Sequence, residues 1–320
     1  MHATPSLLQR LLRRSGAVPA SRPTHPTSRK RHDKRIHFES LEPRLLLSAD
    51  LAPELATALQ TGVNQFKDWT STLATYQQLG QQLPVVSTAL GSAADLSGWL
   101  QTKLVDPVQS YLSGGGAKTT DGLVAALAGI PGLSAVSGDQ YGNQIRFDVV
   151  LDASRTLNGV NLAIPQSANG MAITAQGGAL DFAASMHLDF SFGIDLTPGL
   201  ALDDAFFLKF DDFRLAGDIH ASGLNFAANV GFLGANVANG SLNLDADLQV
   251  QLANPDADAA GVLTLGELQG TSLSTLVTLN GAAATVNASL PITISALGSF
   301  NPGAVQVAIP ESASSQVKLT

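Results

Sequence analysis

Asp256, Asp258, Gly261 and Glu267 have the spacing of a calcium-binding loop. In the run Asp256-Ala257-Asp258-Ala259-Ala260-Gly261-Val262-Leu263-Thr264-Leu265-Gly266-Glu267 they fall at positions 1, 3, 6 and 12 of the EF-hand pattern. The chemistry behind that pattern is simple. Ca²⁺ is a hard cation that takes about six to eight oxygens; alternating side chains wrap it, Gly permits the sharp turn, and a bidentate carboxylate closes the shell. Two features depart from the pattern. Ala260 stands where a third oxygen ligand is expected, and the flanks read as strands rather than paired helices. The expectation is therefore a weak calcium loop, set against a polar turn with an incidental Asp pair.

A second set of polar residues lies along one strand face. Asp181, His187, Asp189 and Asp195 all occupy odd positions of an alternating run. A His among carboxylates suggests a metal or an acid–base pair. Spacing of two along an exposed strand supplies no burial to move a pKa, so a solvated face is expected. His220 reads as structural, and His2, His25, His32 and His37 belong to a basic head. The G-x-S-x-G, H-E-x-x-H and P-loop patterns do not occur, and no G-x-G-x-x-G follows a strand. Cysteine is absent, which excludes disulfides, thiolate metal sites and Cys nucleophiles. No catalytic residue and no cofactor beyond calcium are expected.

The elements that must position these residues change type along the chain. Leu51, Leu55, Leu59, Val63, Phe66, Leu73, Tyr76 and Leu79 recur at helical spacing, with Asp50 as a cap and Pro53 in the first turn. A second helical stretch covers about Val85–Leu112, broken near Gly91, and a third covers Gly122–Ala128. From about Tyr141 the period becomes two. Leu180, Phe182, Ala184, Met186, Leu188, Phe190, Phe192, Ile194 and Leu196 alternate with mostly polar neighbours. Seventeen residues of alternation make a strand of roughly 55 Å, wet on one face and buried on the other. Asn239-Gly240 and Asn280-Gly281 sit between alternating runs and predict two type I′ hairpins of an antiparallel meander. Val160–Ala168 repeats as Val305–Ala313 with six of nine residues identical, so a repeat array continuing beyond Thr320 is expected.

Charge is divided unevenly. Residues 1–50 hold ten Lys and Arg against four Asp and Glu, whereas the remainder holds eight against twenty-two. An acidic body is a poor ligand for phosphate backbones, so no nucleic-acid partner is expected. The chain is 45% hydrophobic and 14% charged, against about 25% charged in ordinary domains. That profile leans toward a β-rich extracellular protein. No apolar run reaches the length of a transmembrane helix. The basic head reads as an unstructured sorting segment that could touch membrane or secretion machinery.

Phe38-Glu39-Ser40-Leu41-Glu42-Pro43-Arg44-Leu45-Leu46-Leu47-Ser48-Ala49-Asp50 resembles the LEPR-XLL segment found near the start of very large bacterial extracellular proteins. The resemblance implies export, a long repetitive β-rich body, and association with calcium-binding or hemolysin-type adhesin regions. It implies no catalytic residue. Members are usually much longer than this chain. Leu45–Ala49 with the basic run preceding it is expected to act as an export signal, cleaved after Ala49.

The expected architecture is mainly β with an N-terminal helical segment: a head over 1–50, a helical region over 51–132, and an elongated antiparallel meander or sandwich over 133–320, read as a truncated repeat region. The expected function is that of a non-enzymatic, secreted or cell-surface, adhesin-like structural protein with an unknown surface or matrix ligand. Two alternatives stand beside it. One is a lipid carrier using its amphipathic sheet; the other is a secreted hydrolase with an unrecognised site.

Overall fold

Alternating apolar side chains over long runs demand a cover for one sheet face, and the helices of this chain provide one. A computed structural model describes residues 50–83, 86, 88–161, 173–176, 179–230, 233–256, 261–294, 300–309 and 316–319. These belong to one compact unit, Leu47–Thr320.

Helix α1 spans Pro53–Leu73, with the proline at its start, where a missing N–H costs no helical bond. Ala52 stands at the cap position expected for Asp50, and no side chain caps this helix. Leu59, Val63, Phe66 and Leu73 are fully buried along one face. A short α2, Gln77–Gly80, follows. Helices α3, Leu90–Ala94, and α4, Leu96–Leu100, are separated at Asp95, whose φ of 50° is left-handed. The break expected near Gly91 thus falls at Asp95. The Asp95 carboxylate lies over Gly98 and accepts from Arg155 Nη1 at 3.2 Å, tying the helices to the sheet. A π-helical turn, Gln101–Val105, leads into α5, Asp106–Ser113, whose Pro107 lacks a donor. Helix α6, Thr120–Ala128, is capped by the Thr119 side chain, which accepts from Gly122 N.

The sheet begins at Leu133, before the period of two becomes visible in the sequence near Tyr141. Its strands are β1 Leu133–Tyr141, β2 Gln144–Asn161, β3 Ile173–Gln176, β4 Ala179–Asp195, β5 Phe206–Val230, β6 Leu233–Leu252, β7 Leu263–Thr264, β8 Val277–Ile294, β9 Phe300–Ile309 and β10 Gln316–Leu319. Short helices α7 Leu202–Ala205, α8 Leu265–Gly270 and α9 Leu273–Leu276 interrupt them. Every pairing is antiparallel, in the order β1-β2-β4-β5-β6-β8-β9-β10, with β3 and β7 joining β5. The chain is thus mainly β with an N-terminal helical segment. β4 covers the alternating run, and its even residues from Leu180 to Ile194 are buried.

The two expected Asn-Gly hairpins are not turns. Asn239-Gly240 lies inside β6, and Asn280-Gly281 lies inside β8. Asn239 has φ 57° and Gly281 φ 111°, and the ladder register shifts beside each. Both mark bulges, which an extra residue with positive φ builds as readily as it builds a turn. The parity of the apolar pattern shows why each bulge is needed. In β6 the buried positions run Val237, then Leu242 and Leu244; in β8 they run Val277, then Val286 and Ala288. Without a bulge, one half of each strand would present its apolar side chains to solvent. β5 makes the same switch of parity. Phe206 and Leu208 are buried, then Phe213 and Leu215, with the register shift opposite Asp189 and Phe190.

One hydrophobic cluster joins helices and sheet. The Phe66 ring of α1 lies 5.6 Å from Phe190 and 5.6 Å from Phe210, and Phe147 stacks on Phe192 at 5.3 Å. Gly62 brings α1 against the Phe206 ring, where any Cβ would collide. Gly217 likewise admits Leu90 of α3 and the Phe182 ring. Among the described residues, no helix is long and apolar enough to cross a membrane.

Phe66→Ala should cost about 3–5 kcal/mol, the range for deleting a buried aromatic ring. Gly281→Ala should cost about 1 kcal/mol or more, because its φ is unfavourable for a side chain and a Cβ would meet the Asp247 carbonyl. Urea unfolding midpoints at unchanged m-value check both.

Candidate functional site

The face of the sheet opposite this core carries the polar side chains, and cross-strand register assembles them into rows. Asp152 of β2 pairs with His187 of β4, His187 with Arg214 of β5, and Arg214 with Gln249 of β6. The next row is Ser154, Ser185, Ala216 and Asp247, and the one after it Thr156, Ala183, Asp218 and Asp245. Because partners in a ladder share a face, the small side chains of the middle row leave a trench running across the strands. An open recess of about 460 Å³ occupies it. Ser154, Ser185 and Ala216 form its floor, Asp152, His187 and Arg214 one wall, and Asp247 its end.

His187 Nδ1 lies 2.7 Å from Asp152 Oδ1, with both side chains substantially exposed. Arg214 Nε donates to Asp212 at 3.0 Å. Asp247, Ser154 and Ser185 have no side-chain hydrogen bond or ion pair among the described residues, leaving polar groups of the trench available to a ligand. Among the described residues, no serine hydroxyl is hydrogen-bonded to His187, so the pair lacks the nucleophile contact of a hydrolytic triad.

A second polar network braces the first strands. Asp148 accepts from Ser191 Oγ at 2.6 Å, Arg146 Nε at 2.7 Å and Ser137 Oγ at 3.3 Å. Burial alone would raise the Asp148 pKa; the Ser191 and Arg146 hydrogen bonds, the Arg146 charge and the Ser137 bond outweigh it and hold the carboxyl below its ordinary value. Asp195 behaves alike: burial opposes ionisation, and hydrogen bonds from Thr197 and Gln144 prevail. His220 sits further along the face, with Nδ1 3.2 Å from Asn243 Oδ1 and Nε2 3.8 Å from both Asp218 and Asp245.

The residues expected to hold calcium are placed as follows. Asp256 is exposed, and its N–H donates to Asn254 Oδ1 at 3.0 Å. Gly261 has φ 62°. Asp258 and Ala260 lie outside the described residues. Glu267 stands in the first turn of α8, where it forms a capping box: its Oε2 accepts from Thr264 N at 2.7 Å and Thr264 Oγ1 at 2.9 Å, while its own N–H donates to Thr264 Oγ1 at 3.2 Å. Among the described residues, no group of three or more His, Cys, Asp or Glu side chains is arranged to hold a metal ion. The Thr-x-x-Glu spacing is legible in the sequence as a helix start as well as the end of a calcium loop.

A further recess of about 420 Å³ lies between α1 and the α8–α9 segment, bordered by Gln65, Asp68, Trp69, Thr72, Leu268 and Leu273. The LEPR-XLL-like residues 38–49 lie outside the described residues, as do residues 162–168 of the first copy of the repeated nonapeptide and 310–313 of the second. No family model, curated protein or solved structure matches the chain.

Two outcomes follow from these contacts. The depressed Asp148 pKa stabilises the fold above the carboxyl's unfolded value, and that contribution disappears as pH falls through the folded one. The difference in urea midpoint between wild type and Asp148→Asn should therefore hold constant from pH 7 down to the unfolded carboxyl range near about 4 and narrow only as pH falls further, through the lowered folded value. Glu267→Ala should cost about 1 kcal/mol through loss of the cap, while Glu267→Gln, which preserves the box, should stay within about 0.5 kcal/mol. Midpoints measured with calcium and with chelator test the metal role of the same carboxylate, as a calcium-dependent gap between wild type and Glu267→Gln.

Proposed function

We propose that this chain is an exported, non-enzymatic scaffold of adhesin type, whose polar sheet face meets a partner outside the cell. One observation carries the reading: the apolar face from Phe182 to Phe192 is filled by the protein's own helices. Phe182 and Phe192 are wholly buried and Phe190 nearly so, beneath Phe66 and its neighbours. The large apolar investment therefore serves stability, leaving the opposite polar face to make contacts. A lipid carrier would hold such a face ready for its cargo, so the packing favours the scaffold over the carrier.

The LEPR-XLL-like segment and the basic residues before it support export, and the acidic body disfavours nucleic acid. The exposed setting of the His187–Asp152 pair, with no serine bonded to it among the described residues, favours adhesion over hydrolysis. Calcium, if taken up at Asp256, Asp258 and Glu267, would stabilise the loop before α8 rather than act on a substrate.

Fractionation of native cells tests the proposal. Surface or medium localisation, with an amino terminus processed near Ala49, is the expected result. A chain confined to the cytosol with Met1 intact overturns export, and stoichiometric lipid in the purified protein would favour the carrier.

A further inference from the structure

The recess between α1 and the α8–α9 segment is bordered by a hydrogen-bond donor and an acceptor that the fold leaves without partners. We infer that it binds a small, uncharged apolar molecule carrying one hydrogen-bonding oxygen, an alcohol or an amide. The recess is separate from the polar sheet face, so the inference stands apart from the adhesive reading.

Two orphaned groups lead to it. Trp69 is 8% exposed and borders the recess, and its Nε1 donates to nothing among the described residues. Gln65 lies one helical turn earlier on the same side of α1. Its Oε1 is likewise closed to solvent and accepts from nothing among the described residues. Buried polar side-chain atoms are hydrogen-bonded in the large majority of cases; here two lack a partner beside one recess. An indole nitrogen can only donate, so what Trp69 wants is an oxygen. A buried N–H without an acceptor is a standing cost to the fold, and a ligand oxygen relieves it.

The rest of the lining sets the rest of the ligand. Leu268 is buried and Leu273 half-buried, and with the Trp69 ring they form apolar walls. That ring is braced by stacking on Phe66, with centroids 6.4 Å apart. The volume of about 420 Å³ lies within the roughly 300–1,000 Å³ of ordinary small-molecule sites. No cationic side chain among the described residues borders the recess, so a carboxylate would lose its hydration without a counter-charge. An ammonium has no lone pair for the indole N–H, and Asp68 at the rim is engaged by Lys67 at 3.0 Å. A hydroxyl or amide does both tasks: its oxygen accepts from Trp69 Nε1, and its own hydrogen is free to donate to Gln65 Oε1. Both protein atoms are closed to solvent, so entry moves the half-buried Leu273, at the start of the four-residue α9. A ligand this small binds in the millimolar range.

Indole N–H NMR of the full chain, with cyclopentanol and cyclopentanecarboxamide as probes, tests the inference. The chain has two tryptophans. Trp69→Phe identifies the Trp69 signal by deleting it, and Trp99→Phe does so by elimination. Either probe should move the Trp69 signal downfield to saturation and leave the Trp99 signal in place. Cyclopentane, which has no oxygen, should not, nor should cyclopentanecarboxylate or cyclopentylammonium. By saturation transfer, Trp69→Phe, which keeps a ring and removes the donor, should weaken cyclopentanol about tenfold. Thr72→Phe, at an exposed position bordering the recess, should block it. Urea midpoints near wild type show that the variants fold; Thr72→Leu provides a milder block if Thr72→Phe does not. A Trp69 signal unmoved by both probes overturns the inference and leaves water alone as the partner of the indole N–H. So does a shift matched by cyclopentane, or one that persists in the blocked variant.

Discussion

The burial of one sheet face beneath the N-terminal helices is the constraint on which the rest of this structure depends. A strand of seventeen residues, Ala179–Asp195, presents eight inward apolar or small side chains, and left open that surface would drive aggregation. Helix α1 and the short helices after it cover it, with Phe66 set between Phe190 and Phe210 and with Gly62 and Gly217 permitting close approach. The helical and β regions are consequently halves of one core rather than separate bodies.

That constraint also explains the bulges. A long strand twists, and its period of two must stay matched to one buried face. The left-handed Asn239 and Gly281 each insert an extra residue where the apolar parity changes. The polar face inherits the same register. Asp152, His187, Arg214 and Gln249 line up because the inner residues beside them, such as Leu151, Leu188, Phe213 and Leu248, are fixed by packing. The trench is thus a by-product of core register, made by three small residues that fall in one row.

The stability of the polar face rests on local networks rather than on isolated surface pairs. Asp148 collects donors from three residues on β1, β2 and β4, one of them the buried Ser191, and holds the first strands in register. Exposed pairs such as Lys209–Asp211 contribute little by comparison. At Glu267 one carboxylate meets two descriptions, the twelfth position of a metal loop and the third residue of a capping box. The folded chain directs it to the helix terminus, where two donors would otherwise be without partners.

Periodicity along the chain was enough to determine the fold class: helical spacing from Leu51 to Leu79 and strict alternation from Leu180 to Leu196 follow from side-chain direction in a helix or a strand. The absence of cysteine and the division of charge were equally plain. Whether an Asn-Gly ends a strand or bulges within it depended on the neighbouring strand: a type I′ turn takes positive φ at both residues, whereas here only Asn239 and Gly281 adopt it and the residues on either side stay paired. The partner of His187 was invisible for the same reason. Reading along β4 offers Asp181, Asp189 and Asp195, whereas the carboxylate that reaches it is Asp152, thirty-five residues away in sequence and opposite it in the ladder. Local conformation is written in spacing; register across strands comes only from the collective packing of the buried face, and the polar site is made by that register.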